Sequence, residues 1–169
     1  MSHAAITLRP AALRDAQAIA LMSREYIEQG LPWKYDPARI GAAIRRRDMT
    51  VLTAVDRTAL AGFAVMEFGD ERAHLVLMAV RPTHRRRGIG RGMFEWLLES
   101  ALTAGIESVH LELRAGNEAA RRFYRALGFS ETIMIPRYYA GNEAAVRMIR
   151  MLRRAASPVP AWLPPAHWR

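Results

Sequence analysis

The chain has 169 residues, 51% of them apolar and 24% charged, a composition that can bury one hydrophobic core and excludes a disordered polymer. It has no cysteine, so disulfides and thiolate nucleophiles are excluded, and no apolar run reaches the roughly 20 residues that span a bilayer. The net charge of +9 comes from 25 Lys and Arg against 16 Asp and Glu, and nearly all the cations are Arg, whose planar fork of donors suits phosphate.

Residues 5–9 alternate and predict a strand that Pro10 ends. Leu13, Ala16, Ile19, Ala20, Met22 and Ile27 recur at helical spacing and predict a helix over 11–29, stopped by Gly30. Asp36 and Pro37 have the form of an N-cap and first helical residue and open a short helix toward Arg47. Residues 50–55 and 60–68 predict two strands around a turn at 56–58, and 73–80 a third. A loop over 82–90 precedes a helix over 93–104, closed by Gly105. A strand over 108–113, a helix over 117–127 with Gly128 at its end, and a strand pair over 132–139 and 144–152 complete the series.

The order β-α-α-β-β-β-α-β-α-β-β predicts a single mixed α/β (α+β) domain over 1–156, built on a mostly antiparallel central sheet flanked by helices. Residues 157–169 carry four of the nine prolines with Trp162 and Trp168 and are expected to form an extended tail. The first ten residues lack the charged-then-apolar order of a leader, so a cytoplasmic protein without a membrane partner is expected.

The loop carries the chemical signal. Gly88 and Gly90 let the backbone turn tightly and approach a ligand, while the amides of the loop and of the following helix make a positive nest. Arg85, Arg86, Arg87 and Arg91 surround that nest, and a diphosphate is the natural guest. A nucleotide P-loop would need Lys after its second glycine, and none follows. A dinucleotide fingerprint would need a third glycine where Met93 stands, although Glu112 lies at a suitable distance for a ribose contact. The pattern Arg/Gln-x-x-Gly-x-Gly is met in full by Arg85 to Gly90.

That pattern, joined to Leu111-Glu112-Leu113-Arg114-Ala115-Gly116-Asn117 and to Phe123-Tyr124-Arg125-Ala126-Leu127-Gly128-Phe129, resembles the GNAT superfamily of acyl-CoA N-acyltransferases. The resemblance covers residues 5–152 in element order and is specific over 77–129. It implies acetyl-CoA as co-substrate, with the backbone of Met78, Ala79 and Val80 pairing with the pantetheine arm and Arg86 through Arg91, including Ile89, wrapping the pyrophosphate. It further implies a cofactor hydrogen bond from Asn117, a place near the thioester sulfur for Tyr124, and an oxyanion donor in the Val80 amide.

Acylation of an amine needs a proton acceptor for the amine and a donor for the leaving thiolate. Tyr124 is the candidate acid, since an ordinary phenol with a pKa of about 10 holds its proton at or above the range of a thiol. Alternation over 109–114 puts His110, Glu112 and Arg114 on one face, away from the apolar one, which makes Glu112 the candidate base. A salt bridge to Arg114 or to a neighbouring strand is the structural alternative. His74 and His110 are weaker bases, and no His and carboxylate spacing forms a metal site. With no Cys to carry an acyl group, direct attack in a ternary complex is expected.

Trp33 in the early loop and Tyr138 and Tyr139 before the last strand are candidate acceptor-binding residues. The two tyrosines followed by Glu143-Ala144-Ala145-Val146-Arg147-Met148 resemble the ribosomal-protein alanine N-acetyltransferase branch, with Ala144 in place of that branch's Asp. The acceptor is then a protein N-terminus or a small amine. Two other readings stand beside this one: a non-catalytic acyl-CoA sensor, and a basic RNA- or ribosome-binding protein. No aromatic-studded basic strand supports nucleic-acid binding, and a homodimer through the last strand pair is left open.

Overall fold

The computed structural model describes residues 5–152, so the expected tail over 157–169 lies outside the described residues. The chain runs β1 (Ile6–Pro10), α1 (Ala16–Tyr26), α2 (Pro37–Arg45), β2 (Met49–Asp56), β3 (Ala59–Phe68), β4 (Arg72–Val80), α3 (Ile89–Thr103), β5 (Ser108–Arg114), α4 (Glu118–Ala126), β6 (Ser130–Tyr139) and β7 (Glu143–Met151). The strands form one sheet in the order β1-β2-β3-β4-β5-β7-β6, with every pairing antiparallel except β4 with β5. The predicted element order and mixed α/β class are those observed.

Two helix bounds differ from the expectation for local reasons. The helix predicted over 11–29 begins only at Ala16, because Asp15 accepts the Ala12 amide (2.7 Å) and pairs with Arg9 (2.7 Å), which fixes Leu13–Asp15 as a 3-10 turn. α3 starts four residues before the predicted Met93, since Gly88 caps it in the left-handed conformation (φ 76°) and its carbonyl accepts the Gly92 amide at 2.9 Å. The predicted start of α2 holds: Asp36 accepts the Arg39 amide at 2.8 Å and Pro37 occupies the first turn.

Each face of the sheet carries its own core. α3 and α4 cover one face, where Met93, Phe94, Leu97, Leu111, Phe129 and Met148 are buried. α1 and α2 cover the other over β2 to β4, burying Ile19, Met22, Ile40, Phe63 and Leu77. Removing a side chain such as Phe63 or Phe94 from water contributes roughly 1.5–3 kcal/mol.

β4 changes face partway along its length. Met66 pairs with Leu75 and Val65 with Leu77, so Val76 is an extra residue, a β-bulge. Upstream, Ala73 and Leu75 belong to the α3/α4 core; downstream, Leu77 and Ala79 belong to the α1/α2 core, with Met78 and Val80 turned to α3 and α4.

Candidate functional site

The bulge opens the sheet. β4 and β5 pair only over Arg72 to His74 with Ser108 to His110, and from Leu75 and Leu111 onward the strands separate. A cavity of about 780 Å³ fills the wedge. Leu75 to Met78 line one wall and Leu111 to Arg114 the other, with Asn117, Ala120 and Tyr124 of α4 behind. The α1–α2 connection, with Leu31, Pro32, Lys34 and Tyr35, and the end of β6, with Tyr138 and Tyr139, enclose the opening. Past His74, the backbone edge of β4 that faces the wedge meets the cavity instead of a strand.

The wedge joins the two faces of the sheet. Tyr124 packs in the α3/α4 core with its ring edge-on to Phe123 and Phe129, and it also lines the cavity. Burial pushes its phenol well above the ordinary value, so it keeps its proton through the neutral range. Glu112 lies on the opposite face of β5, with its side chain 11% exposed. Its Oε2 is 2.6 Å from His74 Nε2 on β4, and its Oε1 accepts from Arg147 Nε on β7 at 3.0 Å. The His74 hydrogen bond foremost, and Arg147 after it, hold the carboxyl below its ordinary range against the opposing effect of burial. Arg147 stands directly opposite Glu112 in the β5–β7 register, a cross-strand pair.

Arg114, the expected ion-pair alternative for Glu112, points elsewhere: it binds Glu143 at 2.8 Å and the carbonyls of Ile27 and Gln29. His110 lies earlier on β5, 2.8 Å from the Ser108 hydroxyl, and burial lowers its pKa. A second depression of about 960 Å³ lies over the paired ends of β4, β5 and β7 and shares His74 and Glu112 with the wedge.

The Arg-rich loop enters at the head of α3. Both Arg86 (φ 59°) and Gly88 (φ 76°) are left-handed, and Arg85, Arg86 and Arg87 are exposed. Arg85 donates to the Val80 carbonyl at 3.0 Å, while Arg91 lies along α3 near Glu95 at 3.9 Å. The two glycines do different work. A Cβ at Gly88 would meet nothing within 4 Å, so its demand is the sign of φ, whereas a Cβ at Gly90 would lie 3.0 Å from Phe123 Cζ, so α3 and α4 touch there. Asn117 caps α4, accepting the Ala120 amide at 3.1 Å.

Of the candidate residues, Met78, Glu112, Asn117, Tyr124, Tyr138 and Tyr139 line the wedge. Ala79 and Val80 continue β4 toward the loop, Ala79 buried in the α1/α2 core and Val80 against the α3/α4 core. Trp33 is not among the lining residues: its ring packs under Arg24 (4.9 Å), with its buried Nε1 lacking a hydrogen-bond partner among the described residues. Three residues escaped the sequence reading. Glu28, 6% exposed, gave no pattern to find. Arg114 was marked by the polar face it shares with His110 and Glu112. Gly62, whose Cβ would lie 2.9 Å from the Ala79 carbonyl, was an isolated glycine within a strand, the usual mark of a close backbone approach.

Residues 16–129 match the model of the acetyltransferase (GNAT) family. The chain is 40% identical over 100 residues to the [ribosomal protein bS18]-alanine N-acetyltransferase of Salmonella typhimurium, covering 57% of this chain and 66% of that one. Its fold is similar to that of Ard1 from Thermoplasma volcanium (TM-score 0.79, 26% identity, 89% of this chain and 99% of that one). It is also similar to the ribosomal-protein-S18-alanine N-acetyltransferase from Escherichia coli (TM-score 0.74, 25% identity, 92% and 99%). Among the described residues, no helix is long and apolar enough to cross a membrane.

Proposed function

The chain belongs to the acetyltransferase (GNAT) family, and from that premise we propose that it transfers an acetyl group from acetyl-CoA to the α-amine of a protein N-terminus, by direct attack in a ternary complex. The observation that carries this reading is the wedge itself: one opening through the sheet, with Tyr124 on one face and the Glu112–His74 pair on the other.

The residues present fit acetyl-CoA. The free edge of β4 from Met78 to Val80 offers backbone groups to an extended amide arm. The left-handed loop with its exposed arginines, at the head of α3, suits a pyrophosphate. Asn117 lines the wedge, and its side-chain amide would donate to the same molecule while its oxygen caps α4. When bound, acetyl-CoA supplies an activated thioester carbonyl.

The chain's own residues do the rest. Glu112 takes the proton that the amine sheds, directly or through water, and His74 and Arg147 hold the carboxylate ionised and in place for it. The Val80 amide is the donor proposed for the developing oxyanion. Tyr124 donates to the departing thiolate, and its burial keeps the proton in place until then. Tyr138 and Tyr139 flank the acceptor, and burial raises both phenols, which keeps them as neutral hydrogen-bond donors.

The choice of a protein N-terminus rests on relatives whose names specify the alanine of a ribosomal protein. The same relatives favour a cytosolic setting. The test is thiol release from acetyl-CoA against a panel of peptides with different N-termini and a panel of small amines. Release that depends on a peptide N-terminus supports the reading; release with small amines alone reassigns the acceptor, and none with any acceptor overturns it.

A further inference from the structure

Arg114, the last residue of β5, joins three segments that enclose the wedge. Its Nη2 donates to the carbonyls of Ile27 (3.1 Å) and Gln29 (2.7 Å), at the end of α1. Its Nη1 donates to Glu143 Oε2 (2.8 Å), the first residue of β7, and its guanidinium lies 5.7 Å from the centre of the Tyr139 ring. A residue that merely capped α1 would stop at the two carbonyls. Here the same cation reaches on to the β6–β7 turn, so the α1–α2 connection and that turn are held by one side chain.

The far side of the connection is fixed by a buried carboxylate. Glu28 accepts the amides of Lys34 (2.7 Å) and Tyr35 (3.1 Å) on Oε1 and the Ser23 hydroxyl (2.9 Å) on Oε2. Burying a carboxylate is costly unless its lone pairs are filled, and here three donors fill them. The connection is thus folded back on itself by Glu28 and fastened to the sheet by Arg114, and it supplies Leu31, Pro32, Lys34 and Tyr35 to the wedge.

We propose that Arg114, with Glu28, is a positioning residue for the acceptor: the pair fixes the mouth of the wedge and so sets which peptide ends can reach it. This rests on the acetyl-transfer reading above. Neither residue is asked to touch the reacting atoms. Arg114 is suited to the task because its two terminal nitrogens point in fixed, separate directions, Nη1 to Glu143 and Nη2 to the two carbonyls, whereas Lys gathers its donors on one nitrogen.

The test compares Arg114→Lys, Arg114→Gln and Glu28→Gln with the parent protein, using the best peptide from the N-terminal panel, calorimetry with CoA, and hydrogen exchange of the amides over 27–36. The expected result is a rise in peptide KM of about tenfold or more, a change in kcat within about threefold, nearly unchanged CoA affinity, and faster exchange over 27–36. Unchanged peptide KM in both Arg114 variants overturns the proposal, as does a parallel loss of CoA affinity and melting temperature, the mark of a general structural role. Should the Arg114 variants fail to fold, Glu143→Gln severs only the arm to the turn, and it must still raise peptide KM. Should the parent protein acetylate no peptide, the N-terminal acceptor reading fails, while the tie made by Arg114 is still judged by exchange over 27–36: acceleration supports it and unchanged protection overturns it.

Discussion

His74 Nε2 lies 2.6 Å from Glu112 Oε2, a diagonal contact just past the last rung at which β4 and β5 pair. The contact therefore sits where the sheet stops being a sheet. A second tie, from Arg147, leaves the carboxylate with partners from both neighbouring strands and a depressed pKa. Such a group is a poor proton store but a good orienter of a histidine or a water.

Glu112→Gln keeps the shape and the hydrogen bond to Arg147 but removes the charge that assists proton removal. Turnover with a peptide acceptor should fall by on the order of 100-fold or more, with CoA affinity within about threefold of the parent. Steady-state thiol release and CoA calorimetry check this, and full turnover in the variant would remove Glu112 from the chemistry.

Tyr124→Phe should lower kcat by roughly 10- to 1000-fold with little change in CoA affinity. The pH profile gives a second check. Burial raises the phenol's pKa, so its proton is lost only above the ordinary value of about 10. No alkaline decline belonging to Tyr124 should therefore appear below that pH, and one that vanished in the Phe variant would contradict the burial.

Gly88 and Gly90 should fail in different ways. Alanine or valine at Gly88 meets no neighbour but must adopt a positive φ, at a cost of about 1–2 kcal/mol. Gly90→Val drives atoms into Phe123 and should destabilise by about 1–3 kcal/mol through the α3–α4 contact. Thermal melts check both costs, and calorimetry should show weaker CoA binding for Gly88→Val. Unchanged affinity there would end the phosphate-loop assignment.

Glu131 ties the edge strand β6 to α4 through Arg121 (2.8 Å) and Arg125 (2.6 Å), which lower its pKa to about 2 from 4.5. A carboxylate whose folded pKa is depressed adds stability that is present above its unfolded pKa and is lost as pH falls through the folded one. The melting-temperature gap between the parent and Glu131→Gln should thus be full at neutral pH, shrink below 4.5 and close near 2. A gap independent of pH would show that the ion pairs contribute nothing.

The order of elements and the position of the arginine- and glycine-rich loop were legible because each rests on local pattern: alternation, helical spacing, and glycines beside arginines. The face of Glu112 was legible for the same reason, since 109–114 alternate cleanly. The bulge at Val76 was not, because Leu75-Val76-Leu77-Met78-Ala79-Val80 is apolar throughout and a change of face leaves no trace in such a run. The start of α3 was missed because glycines in its first turn read as loop, although Gly90 is there to admit Phe123. Arg114 joins carbonyls more than eighty residues earlier in the chain, and no local pattern encodes a bond of that span.

The extra residue at Val76 divides β4 into two half-strands of opposite phase. Phase in a strand has only two values, because side chains alternate with a period of two. Deleting Val76 would remove the offset and leave Leu77 and Ala79 in one core and Met78 and Val80 in the other, whereas flattening the bulge with the residue kept would exchange them between the two cores. A count of one residue in β4 thus fixes which side chains each core receives beside the opening.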